Sequence, residues 1–485
     1  MATVASSSFD LAVIGSGPGG YKTALTAAQL GARVVLVERH RTGGICLNEG
    51  CLPKKALLRF AYLISNVDAL NGRGLIGRVQ GDFDAALAHK DEVIATLHAN
   101  VPTWLKRFGV QTVYGHARLR DAHHIEVQTG PNDDRGRVLL TAGRIILATG
   151  AAPRQHAACP RDGVRIIDSH DFMLSMHDLP RSLLCIGGGT IGAELSYLLH
   201  QFGTRITLVE QSARMLDRPC IPLRASELLQ RKLRRLGVDV RTGVTVESSR
   251  PVSDGVEVLL SDGRRERYER VLVAIGRRPV TGGLGLEDAG VETDAQGFIV
   301  TNEYLETTAP GVYAVGDVKS GPMTANAALH DARIAAFNAV TGNRLRRNYH
   351  RVPAVIDSAL QIAAVGLSEE QAEAAGFEPD VVHTSFSSSI KARAYHDYEG
   401  FMEIVYDVET GQMLGGCIVG SGADEQIHLL ASACQSERGL WFLRDINYSH
   451  PSWSEELGNA LDPYLSEFAR SGREVFRPGI YALRD

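Results

Sequence analysis

From Phe9 to His40 the chain reads "FDLAVIGSGPGGYKTALTAAQLGARVVLVERH": an apolar run, a break at glycines, an Ala/Leu-rich stretch, then a return through Gly31 to "RVVLVE". Two short apolar runs separated by a helical period predict a β-α-β unit. The same order recurs from Arg181 in "RSLLCIGGGTIGAELSYLLHQFGTRITLVEQ", and Gly15 to Glu38 and Gly187 to Glu210 both span 23 positions. Two such units are therefore predicted. "GRIILATGAAPR" (143–154) reads as a further buried strand ending in Thr149-Gly150, and "RVLVAIGRRP" (270–279) closes the second unit in the same way at Gly276. "TTAPGVYAVGDV" predicts one more buried strand, capped by Gly316-Asp317. From about residue 346 the character changes to strands such as "FMEIVYDV" and "MLGGCIVG" followed by helical stretches, which predicts a separate α+β domain. The charge cluster "RRERYER" (264–270) fits a solvated hairpin edge better than a binding patch.

The glycines give the two units a chemistry. Gly15, Gly17 and Gly20 fit G-x-G-x-x-G between a strand and a helix, where the first glycine makes the tight turn and the second lets backbone approach a pyrophosphate at the helix N-terminus. Glu38, at the end of the following strand, is placed to accept a hydrogen bond from a ribose hydroxyl. Gly187, Gly189, Gly192 and Glu210 repeat each role. A carboxylate at position 210 repels a 2′-phosphate, Gln211 is neutral, and Arg214 is the one basic residue close by, so NAD is favoured over NADP at the second site.

Composition narrows the class. At 485 residues the chain is long enough for two to four domains, and a net charge of -5 excludes the basic bias of a nucleic-acid or acidic-membrane binder. No run reaches the roughly 18 apolar residues of a membrane span, and "MATVASSSFD" has neither a secretory core nor transit-peptide arginines, so a cytoplasmic location is expected. The 7 cysteines are scattered except for Cys46 and Cys51 in "GGICLNEGCLPKK", which a secreted disulfide framework does not explain. A close pair in a reducing compartment points to catalysis or metal binding ahead of a structural role. Structural zinc wants four ligands at short spacings, and Cys159, Cys185, Cys220, Cys417 and Cys434 are isolated and read as small hydrophobes. No metal is expected.

Taken together, "GGxCLNxGCxPxK" after the first dinucleotide unit, the second unit, "ATG", "VYAVGDV" and a late "HPSWSEE" resemble the class I flavoprotein disulfide reductases, and within them the dihydrolipoyl dehydrogenases, in order from about residue 9 to about 470. The resemblance implies an α/β fold with two Rossmann-like domains and a C-terminal α+β dimerisation domain. FAD would occupy residues 1–150 joined by 280–345, NAD(H) residues 151–279, and residues 346–485 would form the interface of a homodimer. It makes Cys46 and Cys51 a redox disulfide, with Cys51 nearer the flavin and Cys46 exchanging with a small dithiol or a lipoyl-carrying protein. It further implies an ion pair of Lys55 with Glu194 beside the flavin, Asp317 at the ribityl chain, Glu38 on the adenosine ribose, and His450 with Glu455 as a base pair acting on the partner subunit's disulfide. A five-residue disulfide loop at a helix start is cheap to open, and a thiolate is the reactive form, so an imidazole able to take a proton near neutrality suits the site. Lys54 and Glu49 depart from the family pattern and alter the charge around the sulfurs. Asn326, Leu360 and Gln361 depart from it in the flavin and substrate surroundings.

Overall fold

The computed structural model describes residues 7–130 and 136–470. Residues 1–6 and 471–485, the outer ends of the first and last expected domains, lie outside the described residues, as do 131–135.

Strand Ser7–Ile14 lies between Val34–Glu38 and Arg137–Leu147, all three parallel. Gln111–Tyr114 extends the sheet beyond Val34–Glu38. Val312–Ala314 adds in parallel to the end of Arg137–Leu147, so the chain after residue 280 returns to the first sheet. Side chains alternate between faces along a strand, and both faces here are covered. Leu11 and Val13 pack with Ala24, Leu25 and Ala27 of helix Pro18–Gln29 and Ala335 of helix Ala325–Thr341. Ala12 and Ile14 face the other way, into a cluster with Leu119, Ile125 and Val127 from the antiparallel strands His116–Leu119 and His124–Gln128.

The second sheet runs Ile166–Asp168, Arg270–Val273, Ser182–Ile186, Arg205–Glu210, Asp239–Thr242 in space, every pair parallel. An antiparallel sheet of Val246–Val252, Gly255–Leu260 and Arg265–Tyr268 covers one of its faces. The basic cluster at 264–270 lies at this sheet's edge, where Arg265 pairs with Glu257 at 3.1 Å and Arg267 with Asp254 at 3.0 Å in solvent. The two chain crossings into and out of this unit, Ala151–Pro153 and Arg277–Pro279, pair with each other antiparallel.

The third unit is an antiparallel sheet ordered Ala354–Asp357, Gln361–Gly366, Met413–Val419, Phe401–Asp407, Pro379–Ser385. Ile427 and Leu430 of helix Ala423–Ala433 cover one face. On the other, Ile356, Ile362 and Cys417 join a core with Leu57 and Leu58 of helix Cys51–Ala69 and Leu195 and Leu198 of helix Thr190–Gln201. Burial on both faces is why Met413–Val419 is apolar at every non-glycine position. Cys159, Cys185 and Cys417 are buried, Cys220 and Cys434 half-buried. No helix among the described residues is long and apolar enough to cross a membrane.

Candidate active site

A cavity of about 1640 Å³ opens where the three units meet. Pockets for single small molecules run to roughly 300–1,000 Å³; this volume suits two extended ligands meeting end to end. Its two arms start at the glycine turns. Gly15 and Gly187 hold φ of 99° and 108°, and a Cβ on either would sit 2.4 or 2.5 Å from a carbonyl oxygen of the neighbouring strand's end, Ala148 or Ala274. A Cβ on Gly20 or Gly192 would lie within 2 Å of the Gly15 or Gly187 oxygen, so helix and strand close up only on glycine. By contrast, nothing lies within 4 Å of a Cβ position on Gly17 or Gly189. These two are the N-caps of Pro18–Gln29 and Thr190–Gln201, both without a side-chain cap, and both line the cavity. Free helix N–H groups facing a space left by glycine fit a pyrophosphate in each arm.

The two carboxylates make the same pair of backbone contacts, and Glu38 adds the Ser16 hydroxyl at 2.6 Å. Glu38 accepts from the Ser16 N–H at 2.9 Å and the His40 N–H at 2.8 Å; Glu210 accepts from Gly188 at 2.6 Å and Ser212 at 2.8 Å. Both line the cavity. In the second arm Arg214 turns to Asp217 at 2.9 Å and does not line it, whereas Arg218 does.

Thr149, Gly150, Gly276 and Asp317 line the middle of the cavity. Thr149 Oγ1 donates to the Val280 carbonyl at 2.7 Å, tying the first chain crossing to the second. Burial pushes the Asp317 carboxyl up, against the pull of Arg277 and Lys319. Arg277 Nε is buried without a hydrogen-bond partner, 4.0 Å from Asp317 Oδ2. An under-solvated carboxylate and an orphaned donor facing the same space fit a polar ligand between the two arms.

Cys46 sits in the short helix Gly44–Asn48, and Cys51 is the first residue of helix Cys51–Ala69. Both line the cavity, with their thiols within hydrogen-bonding reach of each other. The Cys46 thiol bonded to Cys51, helped by the Lys54 ammonium, brings Cys51 down to about 7 against the effect of burial, while the same bond and burial push Cys46 up. Asn48 Nδ2 donates to the carbonyls of Thr42 at 3.2 Å and Gly44 at 2.8 Å and holds the loop between the sulfurs closed.

The structure corrects one expected contact. Glu194 is 1 % exposed and pairs with Lys54 at 2.5 Å, not with Lys55. Lys55, 53 % exposed, pairs instead with Asp357 at 3.0 Å and Asp424 at 3.4 Å. Both lysines lie one turn from Cys51, but Lys54 is on the helix edge facing Thr190–Gln201, and the Asp357 N–H holds the other Glu194 oxygen at 2.9 Å. Burial opposes the Lys54 charge, yet Glu194, through charge and hydrogen bond, leaves the ammonium above its ordinary value. Burial raises Glu194 as well; the 2.5 Å contact and the Asp357 N–H favour the ion pair over a neutral one.

His450 and Glu455 are joined, Nδ1 to Oε2 at 2.8 Å, with Glu455 Oε1 accepting from the Ser452 N–H at 3.0 Å. His450 is 67 % exposed and does not line the cavity of its own chain. The structure thus brings the other expected site residues to the cavity, with Gly20 and Gly192 packed directly behind its two glycine turns, and leaves this pair apart on the third unit.

Residues 9–332 match the pyridine nucleotide-disulphide oxidoreductase family and residues 352–461 its dimerisation domain. The chain belongs to this family. Curated relatives are named dihydrolipoyl dehydrogenase: that of Thermus scotoductus is 37% identical with 94% of this chain and 97% of its own length covered, and dihydrolipoyl dehydrogenase 3 of Pseudomonas aeruginosa is 37% identical over 93% and 97%. Among solved structures, LpdA of Mycobacterium tuberculosis superposes with a TM-score of 0.87 at 25% identity, over 94% and 99% of the chains. The HOCl-induced flavoprotein disulfide reductase RclA of Escherichia coli, solved as a Cu(II) complex, gives 0.81 at 27%, over 94% and 99%. This oxidoreductase is an NAD-dependent flavoprotein, using FAD and NAD(H).

Three site residues escape a reading of the motif. Arg277 follows Gly276 in "AIGRRP", a cation that opens the crossing strand Arg277–Pro279 four residues after the buried strand Arg270–Val273 ends. His170 faces Glu49 at 3.3 Å, so the carboxylate in the redox loop is directed to an imidazole. Asp357 collects Lys55 and the Gln361 amide, which donates to it at 3.2 Å while its oxygen accepts from the Gly422 N–H at 2.9 Å. The departures at 360 and 361 are thus a buried leucine and a two-ended amide bridge. Asn326 lines the cavity and donates to the Pro353 carbonyl at 3.1 Å.

Proposed function

We propose that this enzyme oxidises dihydrolipoamide, free or on a lipoyl-carrying protein, with NAD⁺ as acceptor, through a redox disulfide of Cys46 and Cys51. The observation that carries the reading is the cysteine pair opening into one cavity with two dinucleotide cradles, with Cys51 as the sulfur favoured as thiolate. The relatives named dihydrolipoyl dehydrogenase support the choice of dithiol.

A base takes one proton from the substrate dithiol; the thiolate formed attacks Cys46 and releases Cys51 as thiolate, and the second substrate thiol resolves the mixed disulfide, its proton passing to Cys46, leaving the oxidised substrate, a Cys46 thiol, a Cys51 thiolate and one proton on the base. FAD, when bound, supplies the two-electron relay between the sulfur pair and nicotinamide. Lys54 holds a positive charge near Cys51 and favours its thiolate. Glu194 and Asp357 hold Lys54 in place. The base is His450: Nδ1 is engaged with Glu455, so Nε2 is the nitrogen that takes and returns the substrate proton, and Glu455 stabilises the cation that results. Its distance from its own chain's cavity supports a site completed across a homodimer, in which each subunit's imidazole serves the other's cysteines. Residues 1–150 with 280–345 would hold FAD, 151–279 NAD(H), and 346–485 the subunit contact.

Steady-state turnover tests the reading: NAD⁺ reduction by dihydrolipoamide compared with NADH oxidation by glutathione disulfide, mycothione disulfide and Hg²⁺. Dihydrolipoamide is expected to give the highest kcat/KM, and Cys46→Ser or Cys51→Ser to abolish it. Preference for another disulfide, or turnover surviving loss of either sulfur, overturns the reading.

A further inference from the structure

The sulfur loop carries a carboxylate that the proposed reaction does not use. Glu49 lies between Cys46 and Cys51, lines the cavity, and places Oε2 3.3 Å from His170 Nδ1. His170 comes from the first helix of the inserted unit, Ser169–Ser175. Its other nitrogen, Nε2, lies 3.4 Å from Arg277 Nη2 on the strand that leaves that unit. Arg277 in turn faces Asp317 at 4.0 Å. A row of four groups, Glu49, His170, Arg277 and Asp317, therefore runs from the redox loop to the middle of the cavity and crosses the junction between two domains.

The direction of the hydrogen bond fixes the state of the ring. A guanidinium only donates, so His170 Nε2 is bonded to Arg277 only as an acceptor, with its lone pair free. The single proton of the neutral imidazole then resides on Nδ1, facing the Glu49 carboxylate. Adding a second proton would turn Nε2 into a donor against a donor, and a cation against a cation. The other charges that face the ring are Asp168 and Asp171 on its own helix segment, both paired with Arg161, at 3.2 Å and more closely. They leave Glu49 as the one carboxylate not already matched by a guanidinium. Burial and then Arg277 hold the imidazole below its ordinary value, outweighing Glu49, Asp168 and Asp171.

We propose that His170 is a positioning residue: in its neutral form it and the Ala151 carbonyl together seat Arg277 between the redox loop and Asp317, and on protonation it repels the guanidinium and leaves it on Ala151 alone, making the electrostatics around Cys51 and the flavin depend on one imidazole proton. This rests on the assignment of the cavity to FAD and of Cys51 to the sulfur facing it. Arg277 is the lever because it is buried, its Nη2 is shared between His170 and the Ala151 carbonyl at 2.5 Å, its Nε has no hydrogen-bond partner, and Asp317, Asp168, Cys51 and Glu49 all act on its charge. Glu49 is the anchor that orients the ring from the loop side.

The test uses the FAD-loaded enzyme and two readouts, the visible spectrum of bound flavin in the oxidised form and the iodoacetamide alkylation rate of the reduced form, each titrated from about pH 5 to 8. In wild type both are expected to show a shared one-proton transition below the ordinary imidazole value, which in the alkylation profile precedes the rise of Cys51 itself through about pH 7. His170→Gln offers Arg277 an oxygen and Glu49 an N–H without titrating, and is expected to remove that transition while keeping the spectrum of the high-pH form. His170→Ala, which offers neither, is expected to show the low-pH spectrum throughout. A transition shared by the flavin spectrum and the alkylation rate that persists in His170→Gln with unchanged midpoint overturns the proposal. A chain that binds no flavin, or whose two sulfurs are not both alkylated on reduction, would instead overturn the functional reading, and this inference with it.

Discussion

Replacing Lys54 by methionine isolates what the buried ion pair does. Glu194 is 1 % exposed, and without Lys54 it keeps only the Asp357 N–H as a partner. Removing one member of a buried pair costs about 3–5 kcal/mol, because the remaining charge is left without compensation. Lys55 is the internal control: it is 53 % exposed, solvent screens its pairs, and Asp357 retains the Gln361 amide, so Lys55→Met is expected to cost about 1 kcal/mol or less. The pH dependence has a definite sign. Burial raises Glu194 in the folded state, so the stability it allows is full at low pH, where the carboxyl is neutral in both states, and is lost as pH rises through the folded value. Lys54→Met removes the opposing cation and enlarges that loss, so its destabilisation should be greater at mildly alkaline than at mildly acidic pH. Urea unfolding of the FAD-loaded enzyme at both pH values measures this directly. In the same variant the alkylation profile of Cys51, which should rise through about pH 7 in wild type, is expected to shift upward, since Lys54 is one of the groups that lowers it. Equal destabilisation by Lys54→Met and Lys55→Met, or a loss from Lys54→Met that does not grow with pH, would show that the buried pair with Glu194 has no such role.

His450→Gln should lower kcat by roughly 10²–10⁴-fold, the span of a lost general base, and hybrids with Cys46→Ser subunits should regain one working site per dimer. No regain of activity in a mixed, refolded sample would count against a site shared between subunits. Gln361→Glu places a second carboxylate 3.2 Å from Asp357 and removes a donor, and should cost about 1–3 kcal/mol in thermal unfolding, whereas Gln361→Met should cost less because it adds no charge. Glu210→Ala should narrow the ratio of kcat/KM for NADH over NADPH mainly by lowering the value for NADH, because the carboxylate that bonds to Gly188 and Ser212 also shapes the ribose end of the second arm.

Much of the site was readable in the residues because its logic is local. The turns at Gly15 and Gly187 depend on neighbours within a few positions, and their need for glycine follows from φ near 100° and carbonyls 2.4–2.5 Å from any Cβ. The equal spacing of Glu38 and Glu210 from those turns became, in three dimensions, equal hydrogen bonds to the residue after the glycine and to the residue two past the acid. The choice between Lys54 and Lys55 was of another kind. Both lie within one turn of Cys51, and which one reaches Glu194 depends on how helix Thr190–Gln201 packs, 140 residues away. The partner of Glu49 was equally hidden, since His170 enters the site only because the inserted unit folds back over the redox loop. The meeting of Val312–Ala314 with the first sheet is likewise a matter of long-range pairing, which period and composition suggest but do not specify.

Where the chain leaves the first unit and where it comes back, Ala151–Pro153 and Arg277–Pro279 lie side by side, Pro153 opposite Arg277 and Ala151 opposite Pro279. The intervening stretch thus begins and ends at nearly one point, like a cartridge with both connectors on the same face. A short turn could close the gap if it were cut out, and a related nucleotide-binding segment could be spliced between the same two strands with little disturbance to the surroundings.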